Sequence, residues 1–145
     1  TLFRGKPQAE KLSYIYANTF FNLGDFFVSG YQFERFESTY PKSDSVEVAA
    51  YKSAKSYYEL SPNYSLDQKD TEKGMEKLQA FVNKYPNSTF RIEANDLVSE
   101  LREKVERKDI EKAHQYFKIG QQIGSFKPAV DAYENFISDH PGSVF

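Results

Sequence analysis

The sequence predicts an all-α fold, an α-α superhelix built as a stack of helical repeats, and three observations predict it. A short frame of Phe, three residues, an aromatic ring, Pro, one residue and Ser occurs three times. It falls at Phe36, Tyr40, Pro41 and Ser43, at Phe81, Tyr85, Pro86 and Ser88, and at Phe136, His140, Pro141 and Ser143. Each frame closes a helical stripe: Ser29, Phe33, Phe36 and Tyr40 match Gly74, Leu78, Phe81 and Tyr85, and again Ala129, Tyr133, Phe136 and His140. Steps of four, three and four residues place each set on one face of a helix. No segment alternates apolar and polar residues as a half-buried strand would.

The elements follow in order. About seven helices are expected, over 7–23, 25–40, 46–60, 68–85, 89–107, 109–123 and 126–140. The first residue of each stripe is small, as it must be where two helices cross closely. The proline ends the helix because the residue before it is pushed out of the α region, and the frame serine is expected to cap the helix that follows. A first helix precedes two of the stripes, where Tyr16, Ala17, Phe20 and Gly24 match Tyr116, Phe117, Gly120 and Gly124. Gly24 and Gly124 stand where a tight turn between helices needs a left-handed residue. Helix, Gly turn, helix and Pro over about 34 residues is the tetratricopeptide (TPR) pattern, so a TPR-like, right-handed helical-repeat solenoid is expected. The usual Trp is absent and Phe36, Phe81 and Phe136 replace the late small residue, which marks a divergent branch.

Frame spacing is irregular. Tyr40 and Tyr85 are 45 residues apart, and Tyr85 and His140 are 55 apart. The first excess falls in a loop, Leu60 to Gln68, with Pro62 and Asn63 as turn residues. The second excess is about one further helix, with Ala94, Val98, Leu101 and Val105 as its apolar stripe. We therefore expect one domain over 1–145 with repeats at 7–43, 46–88, 89–123 and 126–145. Both ends stop on apolar residues where a capping repeat would be polar, so the natural protein is expected to continue beyond them.

Composition excludes several function classes. A charged share of 28% and a hydrophobic share of 39% belong to a folded chain. Aromatics reach 17%, all of them Tyr and Phe, so rings supply much of the buried area. A net charge of −2 with acids and bases interleaved, as from Arg102 to Asp109, offers no field for nucleic acid; that run reads as a solvated helix face. No apolar stretch approaches the roughly 20 residues of a membrane helix, and these residues hold no signal-peptide pattern, which says nothing about compartment. Without Cys there is no thiol or disulfide chemistry. His114 and His140 lack metal-ligand spacing, and no phosphate loop or nucleophile elbow occurs, so we expect no catalysis, no metal and no cofactor. Glu100 with Lys104 and Glu103 with Arg107 stand four residues apart and read as surface ion pairs.

Several consecutive stretches resemble the BamD (YfiO) family: Phe3-Arg4-Gly5, Ala9-Glu10-Lys11, Phe33-Glu34-Arg35-Phe36, Tyr57-Tyr58 with Ser61-Pro62, Leu66-Asp67-Gln68 and Leu101-Arg102-Glu103-Lys104. The resemblance runs over nearly the whole chain in the same order. It implies a five-repeat TPR lipoprotein of Gram-negative bacteria, held to the periplasmic face of the outer membrane by a lipidated Cys outside this chain. It also implies a role in the β-barrel assembly (BAM) machine, with a BamA-type barrel subunit and unfolded barrel precursors as partners. The alternative is a general periplasmic TPR adaptor or peptide-binding protein of the cell envelope.

The first helix of each TPR repeat lines the concave face. The frame register places Lys11, Tyr14, Asn18, Phe21 and Asn22 there, and carrying Ala17 onto Ala54 adds Tyr51, Lys55, Tyr58 and Glu59. The expected groove thus offers rings, two amides and a cation. The resemblance implies a precursor ending in an aromatic residue and a free carboxylate, with Lys55 for the carboxylate, Asn18 and Asn22 for backbone groups, and Tyr14, Phe21 and Tyr58 for rings. The plain alternative for each ring is packing against a neighbouring helix. Arg102 and Lys104 are the candidates for the surface facing the barrel subunit.

Overall fold

The computed structural model of the chain describes residues 7–145. Among them the backbone forms six α-helices and no strand: α1 (Pro7–Leu23), α2 (Phe26–Thr39), α3 (Val46–Glu59), α4 (Lys69–Lys84), α5 (Arg91–Ile123) and α6 (Lys127–Asp139). Each helix packs on the next, and α3 also touches α1 and α5. The first helices α1, α3 and α5 therefore share one side of a TPR-like stack, and α2, α4 and α6 follow on the other. The Phe3-Arg4-Gly5 stretch lies outside the described residues.

The three frames fold alike. Tyr40, Tyr85 and His140 leave the helix with φ/ψ of −125/58°, −124/65° and −125/61°, as the following prolines require. Their amides donate to the Phe36, Phe81 and Phe136 carbonyls at 2.8, 2.9 and 3.0 Å. The frame serines differ from expectation. Ser43, Ser88 and Ser143 accept from the amides of Ser45, Phe90 and Phe145 at 3.1, 3.1 and 3.3 Å, shaping the turn two residues on instead of capping a helix. The cap of α2 is Asp25, whose carboxylate accepts the Val28 amide at 3.2 Å, directly after Gly24 at φ 77°.

The stripes build the core. Phe33, Phe36, Leu78 and Leu101 are fully buried, with Phe81 and Phe136 nearly so. Small residues sit at the crossings. A Cβ on Gly74 would lie 3.0 Å from Leu101 Cδ1 and 3.1 Å from the Tyr57 carbonyl oxygen, while the Ser29 and Ser56 hydroxyls bond each other at 2.7 Å. Two ion pairs, Lys77–Glu34 and Lys84–Glu37, bridge α4 to α2 across the edge of α3.

Two expectations are corrected. The helices expected at 89–107 and 109–123 are one helix of 33 residues, so the total is six instead of about seven. No Gly or Pro lies between Val105 and Ile110, and the buried face runs through Leu101, Ile110 and Ala113, so nothing stops the helix. Its length is about 50 Å at 1.5 Å per residue. The segment 89–123 is accordingly not a helix pair. The second correction is to the match of α1 with the end of α5. The turn glycines correspond in conformation, with Gly124 at φ 73°, but the packing runs one turn earlier. Ala113, not Phe117, is fully buried like Ala17, and Phe117 meets Phe126 as Phe21 meets Phe26. The end of α5 runs one turn longer than that of α1 between this ring contact and the turn glycine.

The expected loop is ordered by α5. Lys104 Nζ donates to Ser61 Oγ at 2.8 Å, Lys108 Nζ to the Leu66 carbonyl at 2.6 Å, and the Arg107 guanidinium sits 4.3 Å from the Tyr64 ring centre. Buried Gln68 closes it from within, donating to the Asn63 and Leu66 carbonyls at 2.8 and 3.0 Å.

Candidate functional site

The side carrying α1 and α3 holds the expected groove residues, in two groups that behave differently. On α1, Tyr14 is half-buried and edge-on to Phe33 and Phe36, with ring centres 5.7 and 5.5 Å away. Phe21, two turns along, is edge-on to Phe26 and Phe33 at 5.7 and 6.2 Å. Asn18 lies between them. Asn22 and Lys11 are exposed on the same helix.

The cation of this group is Lys52 of α3, which the sequence reading passed over. Its ammonium donates to Asn18 Oδ1 and sits 5.7, 5.4 and 6.0 Å from the ring centres of Tyr14, Phe21 and Phe33. It forms no ion pair with any described residue, and residues 1–6 contain no acid. Burial without a counter-charge pulls its pKa below the usual lysine value. Burial also raises the Tyr14 phenol. Lys52 was legible only as one of two lysines on α3; which neighbour each reaches depends on the placement of α1 and α5.

The second group, between α3 and α5, is already partnered. Lys55 is paired with Glu93 at 2.7 Å, so it is not the free cation expected. The Lys55 hydrogen bond holds the Glu93 pKa below its ordinary value. Tyr51 is buried at 4% exposure, stacked on Phe90 at 4.4 Å and 8°, and tilted on Phe81 at 5.4 Å. It is a core ring, not a groove surface, because α3 turns it toward α4 and α5. Its hydroxyl is buried without a hydrogen-bond partner. Burial first, and the neighbouring Glu93 carboxylate second, hold the phenol far above its usual pKa. Tyr58 donates to Glu100 Oε2 at 2.6 Å, which together with burial pushes its pKa to about 12. Glu59 is exposed.

Of the two residues expected to face a partner, Arg102 is exposed and Lys104 is committed to Ser61. Among the described residues no group of three or more His, Asp or Glu is placed to hold a metal. His140 Nε2 lies 2.8 Å from Asp109 Oδ2 at the end of α6, and His114 packs on Tyr133. No described helix is long and apolar enough to cross a membrane. A hollow of about 900 Å³ opens between α1 and α2, lined in part by the exposed Leu12, Ile15 and Tyr16.

Known proteins resemble this chain over most of its length. Residues 2–143 match the outer membrane lipoprotein family YfiO. The outer membrane protein assembly factor BamD of Caulobacter vibrioides is 29% identical over 115 residues, covering 77% of this chain and 37% of that protein. The chain thus spans little more than a third of that relative's length. A thrice-repeated helix end, a stack of paired helices and a match of that extent make this chain a member of the YfiO family of outer membrane lipoproteins.

Proposed function

We propose that the chain is part of a non-catalytic scaffold for assembling outer-membrane β-barrel proteins. The observation that carries this reading is the family match over residues 2–143, supported by a relative named as an assembly factor. In the full-length protein the scaffold works at the periplasmic face of the outer membrane through a lipid anchor outside these residues. Its partners are a BamA-type barrel subunit and unfolded β-barrel precursors.

The stack suits such a role, because helix pairs present extended faces instead of an enclosed pocket. A precursor segment lies along α1 and α3, with Tyr14 and Phe21 taking apolar side chains and Asn18 and Asn22 taking backbone groups. Lys55 and Tyr58, joined to Glu93 and Glu100, form the wall toward α5. Arg102 is the candidate contact to the barrel subunit, while Lys104 contributes by holding the 60–68 loop.

The test is a pull-down of the full-length lipidated protein from Gram-negative envelope extract, with partners identified by mass. Recovery of the BamA-type subunit together with unfolded barrel proteins is expected. Recovery of other envelope proteins without that subunit would move the function to a general envelope adaptor.

A further inference from the structure

The two ion pairs between α2 and α4 join helices that do not otherwise meet. Among the described residues no Cα of α2 lies within 8 Å of one of α4, because α3 separates them. Lys77–Glu34 and Lys84–Glu37 reach across above a hollow of about 150 Å³ floored by Ala50, Ser53 and Ala54. Tyr57 of α3 joins the first pair, with its ring centre 5.2 Å from the Lys77 ammonium and 4.8 Å from that of Lys73. Burial first, and the Glu34 carboxylate second, push the Tyr57 pKa to about 12. The small floor offers few contacts that would fix the α2–α4 separation, which leaves it to the charged side chains above.

The other frame helices lack these charges. In frame register, Glu34 and Glu37 of α2 correspond to Gln79 and Val82 of α4, and Lys77 and Lys84 of α4 correspond to Ala132 and Asp139 of α6. The ionic bridge therefore belongs to the first joint of the stack and is not repeated between α4 and α6.

We propose that the Glu34–Lys77 and Glu37–Lys84 pairs are an ionic clamp that sets the angle between the α1–α2 and α3–α4 helix pairs, and that screening or loss of these charges opens the joint. Partly exposed ion pairs add little to stability, so the clamp acts on geometry. Its side chains are between 24% and 57% exposed, within reach of salt. The screening length falls from about 10 Å at about 0.1 M salt to about 3 Å at about 1 M. Because α1 also touches α3, parting α2 from α4 pivots the two helix pairs about that contact.

Double electron–electron resonance on the full-length protein reads the joint directly. One pair of spin labels sits at the exposed Ser38 and Gln79, across the clamp, and a reference pair sits at Gln79 and Glu134, on α4 and α6. Lys77→Met with Lys84→Met should lengthen the Ser38–Gln79 distance by about 1–2 Å, the scale of a shift between packed helices. The distance distribution should also broaden, while the reference distance stays the same. Wild-type protein in about 1 M salt should approach the doubly substituted protein, which itself should not respond to salt. Reversing both pairs, with Glu34→Lys, Glu37→Lys, Lys77→Glu and Lys84→Glu, should restore the original distance. An unchanged Ser38–Gln79 distance in the Met variant overturns the clamp. So does an equal change in the reference pair, which marks general loosening. Failure of the reversed protein to close, while its reference distance shows it folded, overturns the ionic origin as well.

Discussion

Phe36 and Phe81 occupy equivalent frame positions and are buried at 0% and 3% exposure. Their removal opens a cavity that rigid neighbouring helices cannot close. Phe36→Ala and Phe81→Ala should each cost about 3–5 kcal/mol, read as a shifted midpoint in urea unfolding. Tyr51 makes the opposite case. Its ring is stacked on Phe90, but its hydroxyl is buried unpaired beside Glu93. Tyr51→Phe keeps the ring and removes the orphan oxygen, so stability should stay level or rise by about 1 kcal/mol in the same assay. The buried frame phenylalanines were legible because spacing alone defines the stripe. The distinction between Tyr51 and Tyr14, both placed on one face by register, was not. Tyr51 has Phe81 and Phe90 against it, whereas Tyr14 keeps an open flank beside Lys52.

Among the helices, α5 has consequences that reach furthest. Because it is continuous through Lys108, amide protection in hydrogen exchange should run unbroken from Leu101 to Ala113; a dip at 107–110 would indicate two helices. The α4–α5 crossing depends on Gly74, where an added Cβ meets both Leu101 and the Tyr57 backbone. Gly74→Ala gains helix propensity of about 1 kcal/mol, but overpacking at a site held by backbone costs about 1–3 kcal/mol. A net loss of stability on thermal melting is therefore expected. The sequence displayed this crossing, since Ser29, Gly74 and Ala129 all stand at the head of a stripe. It did not display the fusion of the two helices. Frame spacing counts residues between frames, and a turn and an unbroken helix of similar length satisfy that count equally.

The molecule as a whole is a chain of nearest-neighbour contacts. Among the described residues, α6 packs only on α5 and buries only Ala129 and Phe136 along its length. The α2–α4 region is held by neighbours on both sides and by the Lys77–Glu34 and Lys84–Glu37 pairs. In these 145 residues taken by themselves, a stack whose stability sums over neighbouring units should exchange the amides of α6 at least an order of magnitude faster than those of α2 and α4. Uniform protection across all six helices would contradict that picture. The all-α class, the helix ends before the three frame prolines, the turn glycines and the family were readable from residue order, because each depends on local geometry or on the pattern of the chain: a proline that ends a helix, a glycine that turns, a stripe at helical spacing. The free cation was not readable. Lys52 and Lys55 are three residues apart on one helix, chemically identical and equally plausible. Their difference arises only when α1 brings an amide and rings to one and α5 brings a carboxylate to the other, since the charge state of a site depends on what packs around it.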